Sequence, residues 1–463
     1  MTKMTAIHIC SKCDAQSAKW TGQCLECGAW GTMQAGTAPT KAAGKTAGAG
    51  PLVAASPITG FDRIQAEDAR RLPTGFAELD RVFGGGIVRG SVTLLGGEPG
   101  IGKSTLALAL AALTAGRGQR VIYVSGEESS AQVKLRADRL GLGTANLFFL
   151  GETDVDAIIA TLEKERADFA VVDSVQTLTA SELPSEAGAI NQIRYAAARL
   201  VGFAKGKGVP VVIIGHVTKD GSVAGPKTLE HIVDTVLSFE GERGHQLRIL
   251  HAAKNRFGST DETGLFAMTG TGLTEISNPS AYLLEERRPG TPGSAVGCLM
   301  EGTRPMLVEI QALVRHMQFG YPTRRATGFD QARLEMLVAV LEKRGGINLS
   351  QHDVYVNVVG GLKAREPAAD LAVVAALVSA FRDKPLPENS VVWGEIGLGG
   401  EVRSVLSADR RLHEAAALGL RQVITSLPRS GGAKTPAGLR VVATPTVREM
   451  VNCFSELSVT RNT

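Results

Sequence analysis

The chain has 463 residues, more than one core usually holds, so two folded domains with an appendage are expected. Hydrophobic residues make up 44% and charged residues 21%, which excludes a fibrous or globally disordered chain. With 50 basic against 46 acidic residues the net charge is only +4, so a nucleic-acid contact has to come from local basic patches. The N-terminus carries no apolar targeting stretch and nowhere do 18 uncharged apolar residues run together, so a cytoplasmic protein without membrane contact is expected.

In chain order, the first 33 residues hold Cys10, Cys13, Cys24 and Cys27 in the pattern C-x2-C-x10-C-x2-C. Each pair forms a turn that presents two sulfurs to one tetrahedral ion, and so short a segment has too little core to stand without a staple. Zinc is the expected occupant, and four protein ligands close the site, so it organises a fold and activates no water. Lys12, Lys19, Trp20 and Trp30 on this finger can touch DNA or a protein partner, and their types do not choose between the two. Residues 34–57, mostly Ala, Gly, Thr, Lys and Pro, read as a flexible linker.

Residues 58–280 read as one α/β domain. Apolar runs at 92–97, 121–126, 146–151, 169–174 and 210–217 alternate with segments of helical spacing, which predicts βαβ units and a parallel sheet. Runs at 235–241, 246–257 and 265–276 then follow strand after strand and predict an antiparallel extension of the same sheet.

Between the first apolar strand and a helix expected from about Thr105 lies Gly97-Glu98-Pro99-Gly100-Ile101-Gly102-Lys103-Ser104, a complete P-loop in the strand-to-helix setting its chemistry requires. Glycines let backbone N–H groups face the β-phosphate of ATP, Lys103 reaches the β- and γ-phosphates, and the Ser104 hydroxyl ligates Mg2+. A magnesium-side carboxylate is expected at the end of a later buried strand, where Asp173 stands. Glu127 and Glu128 follow the 121–124 run, where a carboxylate orients the attacking water; Glu127 is preferred. His216, after the 211–215 run, is placed to sense the γ-phosphate or to be a solvated loop histidine.

A second α/β unit spans 281–463, with helical spacing at 329–344 and 370–382 and strand-like runs at 354–359, 391–396 and 422–425.

These features resemble the bacterial RadA (Sms) recombination and repair ATPases over nearly the whole chain. Pro73-Thr74-Gly75-Phe76, Leu79-Asp80 and Gly84-Gly85-Gly86 ahead of the P-loop look like the entry to a RecA-like core, shared with the KaiC clock proteins. Lys254-Asn255-Arg256-Phe257-Gly258 matches the signature pentapeptide of the RadA family, and the four-cysteine finger is a further trait of it. The resemblance implies a DNA-dependent ATPase that works as a DnaB-like, homo-hexameric ring on single-stranded and branched DNA and promotes branch migration, with the RecA recombinase and replication proteins as partners. Strand alternation would send Lys254 and Arg256 to one face and Asn255 to the other, with Arg256 acting on a neighbour's γ-phosphate or both cations holding Asp261 or Glu262. The C-terminal unit resembles the proteolytic domain of Lon. Lon chemistry needs a serine in G-P-S-A-G and a lysine; here Glu366-Pro367-Ala368-Ala369-Asp370 puts Ala368 at the nucleophile position, and Asp409-Arg410-Arg411 occupy the approximate region of the lysine. A proteolytically inactive scaffold is expected, with Arg324, Arg325, Lys363, Arg365, Arg403, Arg410 and Arg411 available to DNA phosphates. The rival readings are a KaiC-like signalling ATPase, which would carry two P-loop cores where this chain has one, and a Lon-type protease, which Ala368 disfavours.

Overall fold

A computed structural model describes residues 4–10, 16–17, 19–24, 29–39, 71–216, 226–241, 244–426 and 434–456. The N-terminal ribbon pairs β1 (Met4–Cys10) with β2 (Gln16–Ser17) and β3 (Met33–Pro39), all antiparallel, in the order β2-β1-β3. Residues 34–39, expected to open the linker, instead pair residue by residue with β1, Cys10 facing Met33. A ladder is made of backbone groups, so a run of small residues satisfies it once a partner strand is present. The rest of the expected linker, 40–57, lies outside the described residues.

The chain divides into two compact units, Met1–Phe239 with Ala252–Ser259, and Glu240–His251 with Thr260–Thr463. This division differs from the 58–280 and 281–463 reading, because residues from 240 onward, except 252–259, fall in the second unit.

In the first unit, β4 (Arg71–Leu72), α1 (Ala77–Phe83) and β5 (Ile87–Val88) precede the main sheet. Then come β6 (Val92–Gly97), α2 (Lys103–Gly116), β7 (Val121–Ser125), α3 (Ser130–Arg139), β8 (Leu147–Leu150), α4 (Val155–Lys164), β9 (Phe169–Asp173), α5 (Ile190–Lys207), β10 (Val211–His216), α6 (Pro226–Leu229) and β11 (Thr235–Glu240). Six strands run parallel in the order β11-β6-β10-β9-β7-β8. Buried on both faces, β6, β7 and β9 are apolar without alternation, as a parallel sheet covered by helices requires. β11, expected to begin the antiparallel extension, is parallel to β6. The stretch between His216 and Thr235 is long enough for the crossover that a parallel pair needs.

In the second unit, β12 (Leu247–Asn255, whose last residues belong to the first unit), β13 (Thr263–Thr269) and β14 (Gly272–Glu275) form an antiparallel meander. The run at 265–276 is thus two strands, turned at 270–271. After α7 (Pro279–Leu284) come β15 (Ser294–Glu301), β16 (Arg304–His316), β17 (Arg324–Thr327), α8 (Gln331–Val340), β18 (His352–Val358) and α9 (Asp370–Arg382). They are followed by β19 (Ser390–Val392), β20 (Glu395–Ile396), β21 (Val402–Arg403), α10 (Ala408–Ala417), β22 (Gln422–Thr425), β23 (Arg440–Ala443) and α11 (Val447–Glu456). A mixed sheet runs β17-β18-β16-β15-β19-β22-β23, with residues 370–379 of α9 buried in its core. The run at 391–396 splits at Trp393 and Gly394, where an added Cβ would come within 2.7 Å of Val402. No helix among the described residues is long and apolar enough to cross a membrane.

Candidate nucleotide site

The P-loop joins β6 to α2, and its shape follows from its glycines. Gly100 and Gly102 sit at φ 79° and 114°, conformations that L side chains rarely adopt, and a Cβ on Gly97 would lie 2.5 Å from the Phe239 carbonyl. The helix begins at Lys103, two residues before the sequence reading, and no side chain caps it. Its first N–H groups therefore remain open for an anion, with the positive end of the helix dipole behind them. Lys103 is 3% exposed, and its ammonium donates to the Gly97 and Glu98 carbonyls at 3.0 and 2.9 Å. Burial lowers its pKa, with Asp173 and then Glu127 pulling the other way. Pro99, Ile101, Ser104 and Thr105 complete the loop and first turn.

Asp173 ends β9 and is 3% exposed. Its Oδ2 accepts from the Tyr123 hydroxyl at 2.7 Å, whereas Oδ1 is buried with no hydrogen-bond partner. Burial, then the Asp173 charge, pushes the Tyr123 phenol well above its ordinary pKa, so it stays a donor. Glu127 accepts from Ser174 and lies 3.5 Å from His216 Nε2, while Glu128 is tied to Arg136. The geometry thus brings Lys103, Asp173, Glu127 and His216 to the carboxyl ends of β6, β7, β9 and β10, where ligands bind in open α/β sheets. It turns Glu128 toward α3.

The pentapeptide is woven into its surroundings rather than standing free. Lys254 donates to the Glu230 carbonyl and, at 2.8 Å, to that of Val233; burial and then Arg256 lower its pKa. Asn255 accepts from the Phe257 N–H at 3.0 Å and donates to the Val82 carbonyl at 3.4 Å. The Phe257 carbonyl accepts from Arg71 at 2.5 Å, and Gly258 lies against Asn255. β12 ends at Asn255, so Arg256 stands past the strand and simple alternation does not set its direction. Half-exposed Arg256 reaches Asp234 at 3.4 Å. Its partner is neither Asp261 nor Glu262. Asp234, 2% exposed, also accepts from the Val92 N–H at 3.1 Å and pairs with Lys205 at 3.3 Å. Sequence reasoning missed this hub, and Tyr123 with it, because an Asp ahead of an apolar run and a Tyr inside one match no motif.

In the ribbon, Cys10 and Cys24 are buried together with Met33, and Cys10 also contacts the Thr32 hydroxyl at 3.1 Å. Thiolates at these two positions suit one side of a tetrahedral metal site; Cys13 and Cys27 lie outside the described residues. In the second unit, Ala368 is 2% exposed in a short turn ahead of α9, and its carbonyl accepts from Gly394. Arg411, expected to be available to phosphate, is instead 1% exposed and held by both Glu366 carboxylate oxygens at 2.7 and 3.1 Å and by the Cys298 carbonyl. Burial drives the Cys298 thiol up to about 12.

Comparison with known proteins adds to this geometry. Residues 60–222 match an AAA domain and residues 8–35 a rubredoxin metal binding domain. The chain is 48% identical over 453 residues to the DNA repair protein RadA of Bacillus subtilis, covering 97% of this chain and 98% of that one. The corresponding protein of Brucella abortus is 48% identical and covers 93% of each chain, and that of Escherichia coli is 43% identical over 97% and 98%. Likeness of this depth runs through the metal ribbon, the nucleotide core and the C-terminal unit alike, and the chain belongs to the RadA family of DNA repair proteins.

Proposed function

We propose that this ATPase of DNA repair and recombination turns over in response to single-stranded DNA and uses the hydrolysis to process branched recombination intermediates. The observation that carries the reading is the convergence of a buried Lys103, an open helix N-terminus and a partnerless Asp173 Oδ1 at the carboxyl end of one parallel sheet. ATP phosphates offer Lys103 stronger acceptors than the loop carbonyls that hold it, and the glycine-shaped loop surrounds them with N–H groups. Ser104 and Asp173 would hold Mg2+, which supplies neutralisation of the charge shared by the β- and γ-phosphates. Glu127 then orients the attacking water, and His216, beside it, reports the γ-phosphate to the strand end.

Lys254 and Arg256 serve the link to DNA and to a neighbouring subunit in a homo-hexameric ring. Arg256 keeps half its surface exposed despite Asp234, so its guanidinium remains available to a phosphate in trans. Recombinase and replication proteins are the expected partners, in the cytoplasm, and zinc at Cys10, Cys13, Cys24 and Cys27 organises the ribbon. Ala368 carries no hydroxyl for peptide attack, so the C-terminal unit acts as a scaffold that offers exposed arginines such as Arg325 to DNA. The deciding measurement is the ATPase rate of the full chain with and without single-stranded DNA. Stimulation is expected, and a rate indifferent to DNA at every length tried would overturn the motor reading.

A further inference from the structure

We infer that Tyr123 is a positioning residue that orients Asp173 so that a single carboxylate oxygen faces the metal. The inference rests on reading Asp173 as the magnesium-side carboxylate. In the parallel pair of β7 and β9, Tyr123 lies opposite Val171, and Asp173 is two residues further on. Side chains two apart share a face, so Asp173 is the diagonal neighbour of Tyr123, within reach of a long ring and out of reach of a short side chain. The observed bond closes that diagonal at 2.7 Å, from a tyrosine that is only 1% exposed.

An aspartate's terminal torsion is broad and nearly two-fold, so a carboxylate at a strand end does not by itself choose which oxygen it presents. The Tyr123 hydroxyl occupies Oδ2 and breaks that symmetry. What remains is Oδ1, buried and without a hydrogen-bond partner, although buried acceptors are nearly always satisfied. An acceptor kept dry and unpaired beside an ammonium and a P-loop is arranged for a ligand that arrives with the nucleotide. Partners of this outer kind typically change metal affinity when removed, by about 10- to 100-fold.

The test is the affinity of Mn2+ for the full chain loaded with a non-hydrolysable ATP analogue, read by electron paramagnetic resonance for wild type, Tyr123→Phe and Asp173→Asn. Tyr123→Phe keeps the ring in the core and removes only the donor. Expected is metal-free nucleotide binding like wild type with Mn2+ affinity lowered about 10- to 100-fold in Tyr123→Phe, and a raised Mg2+ requirement in turnover. A tyrosine that merely fills the core would move stability and leave the metal affinity alone. Normal Mn2+ affinity in Tyr123→Phe beside a weakened Asp173→Asn overturns this inference and spares the reading of Asp173. Normal affinity in Asp173→Asn overturns both. Should Tyr123→Phe not fold, 3-fluorotyrosine installed at position 123 keeps the hydroxyl. Its 19F resonance is expected to move when Mg2+ joins the nucleotide complex, and a stationary resonance overturns the inference.

Discussion

Lys103 shows how much of this site rests on one charge in a poorly hydrated place. Its ammonium is satisfied by two loop carbonyls, yet burial still lowers its pKa, so the charge is held where a phosphate repays its lost hydration best. Lys103→Ala removes that charge from the transferred phosphate and should reduce ATP turnover to background. Gly97 is buried at the end of β6 and only Glu98 is partly exposed, so losing the donor to these carbonyls should lower stability by about 1–3 kcal/mol while leaving the chain folded. Activity assays and thermal melts on the same preparation check both halves, and a well-folded variant with wild-type turnover would remove the assignment. Arg411 is the opposite case at this scale: a cation read as available to DNA is locked under the protein by Glu366. Chemical type alone does not distinguish a phosphate-binding arginine from one that closes a core.

At the scale of elements, Asp234 fastens three pieces of the first unit. It accepts the first N–H of β6, pairs with Lys205 at the end of α5, and steadies Arg256 just past β12. Asp234→Ala leaves the Val92 N–H buried and unpaired, a defect that alone costs about 1–3 kcal/mol. The expected total is about 2 kcal/mol or more, with Asp234→Asn milder because its amide oxygen still accepts from Val92. Denaturant unfolding followed with probes in the first unit measures this; equal stability of Asp234→Ala and wild type would show that the contacts are idle. Helix α3 starts with a reciprocal Ser129–Gln132 capping box, which fixes the exit of the Glu127 loop. By contrast α2 starts uncapped at Gly102, an omission that fits a nucleotide site and would be a defect elsewhere.

For the whole molecule, the trans action proposed for Arg256 makes a prediction that no single-chain property imitates. Arg256→Ala and Lys103→Ala should each lack DNA-stimulated ATPase, whereas mixing the two should restore part of it, because some interfaces then join an intact Lys103 site to an intact Arg256. The arginine-finger effect is worth about a thousandfold or more where it operates, so even rare restored interfaces register in a steady-state assay. Mixtures no more active than their components would exclude a shared site. Much of this protein was legible along the chain: the P-loop between a buried strand and a helix, Asp173 at a strand end, and the bounds of β6, β22 and α9 all follow from local composition and period. The parallel placement of β11, the Tyr123–Asp173 bond and the Asp234 hub were not legible, because each joins residues far apart in sequence through strand order and register. Local pattern records which face of an element is apolar and which turn needs glycine. Which of two adjacent glutamates meets the site, and which arginine is buried, is decided only when separate elements pack and their charges must find partners out of water.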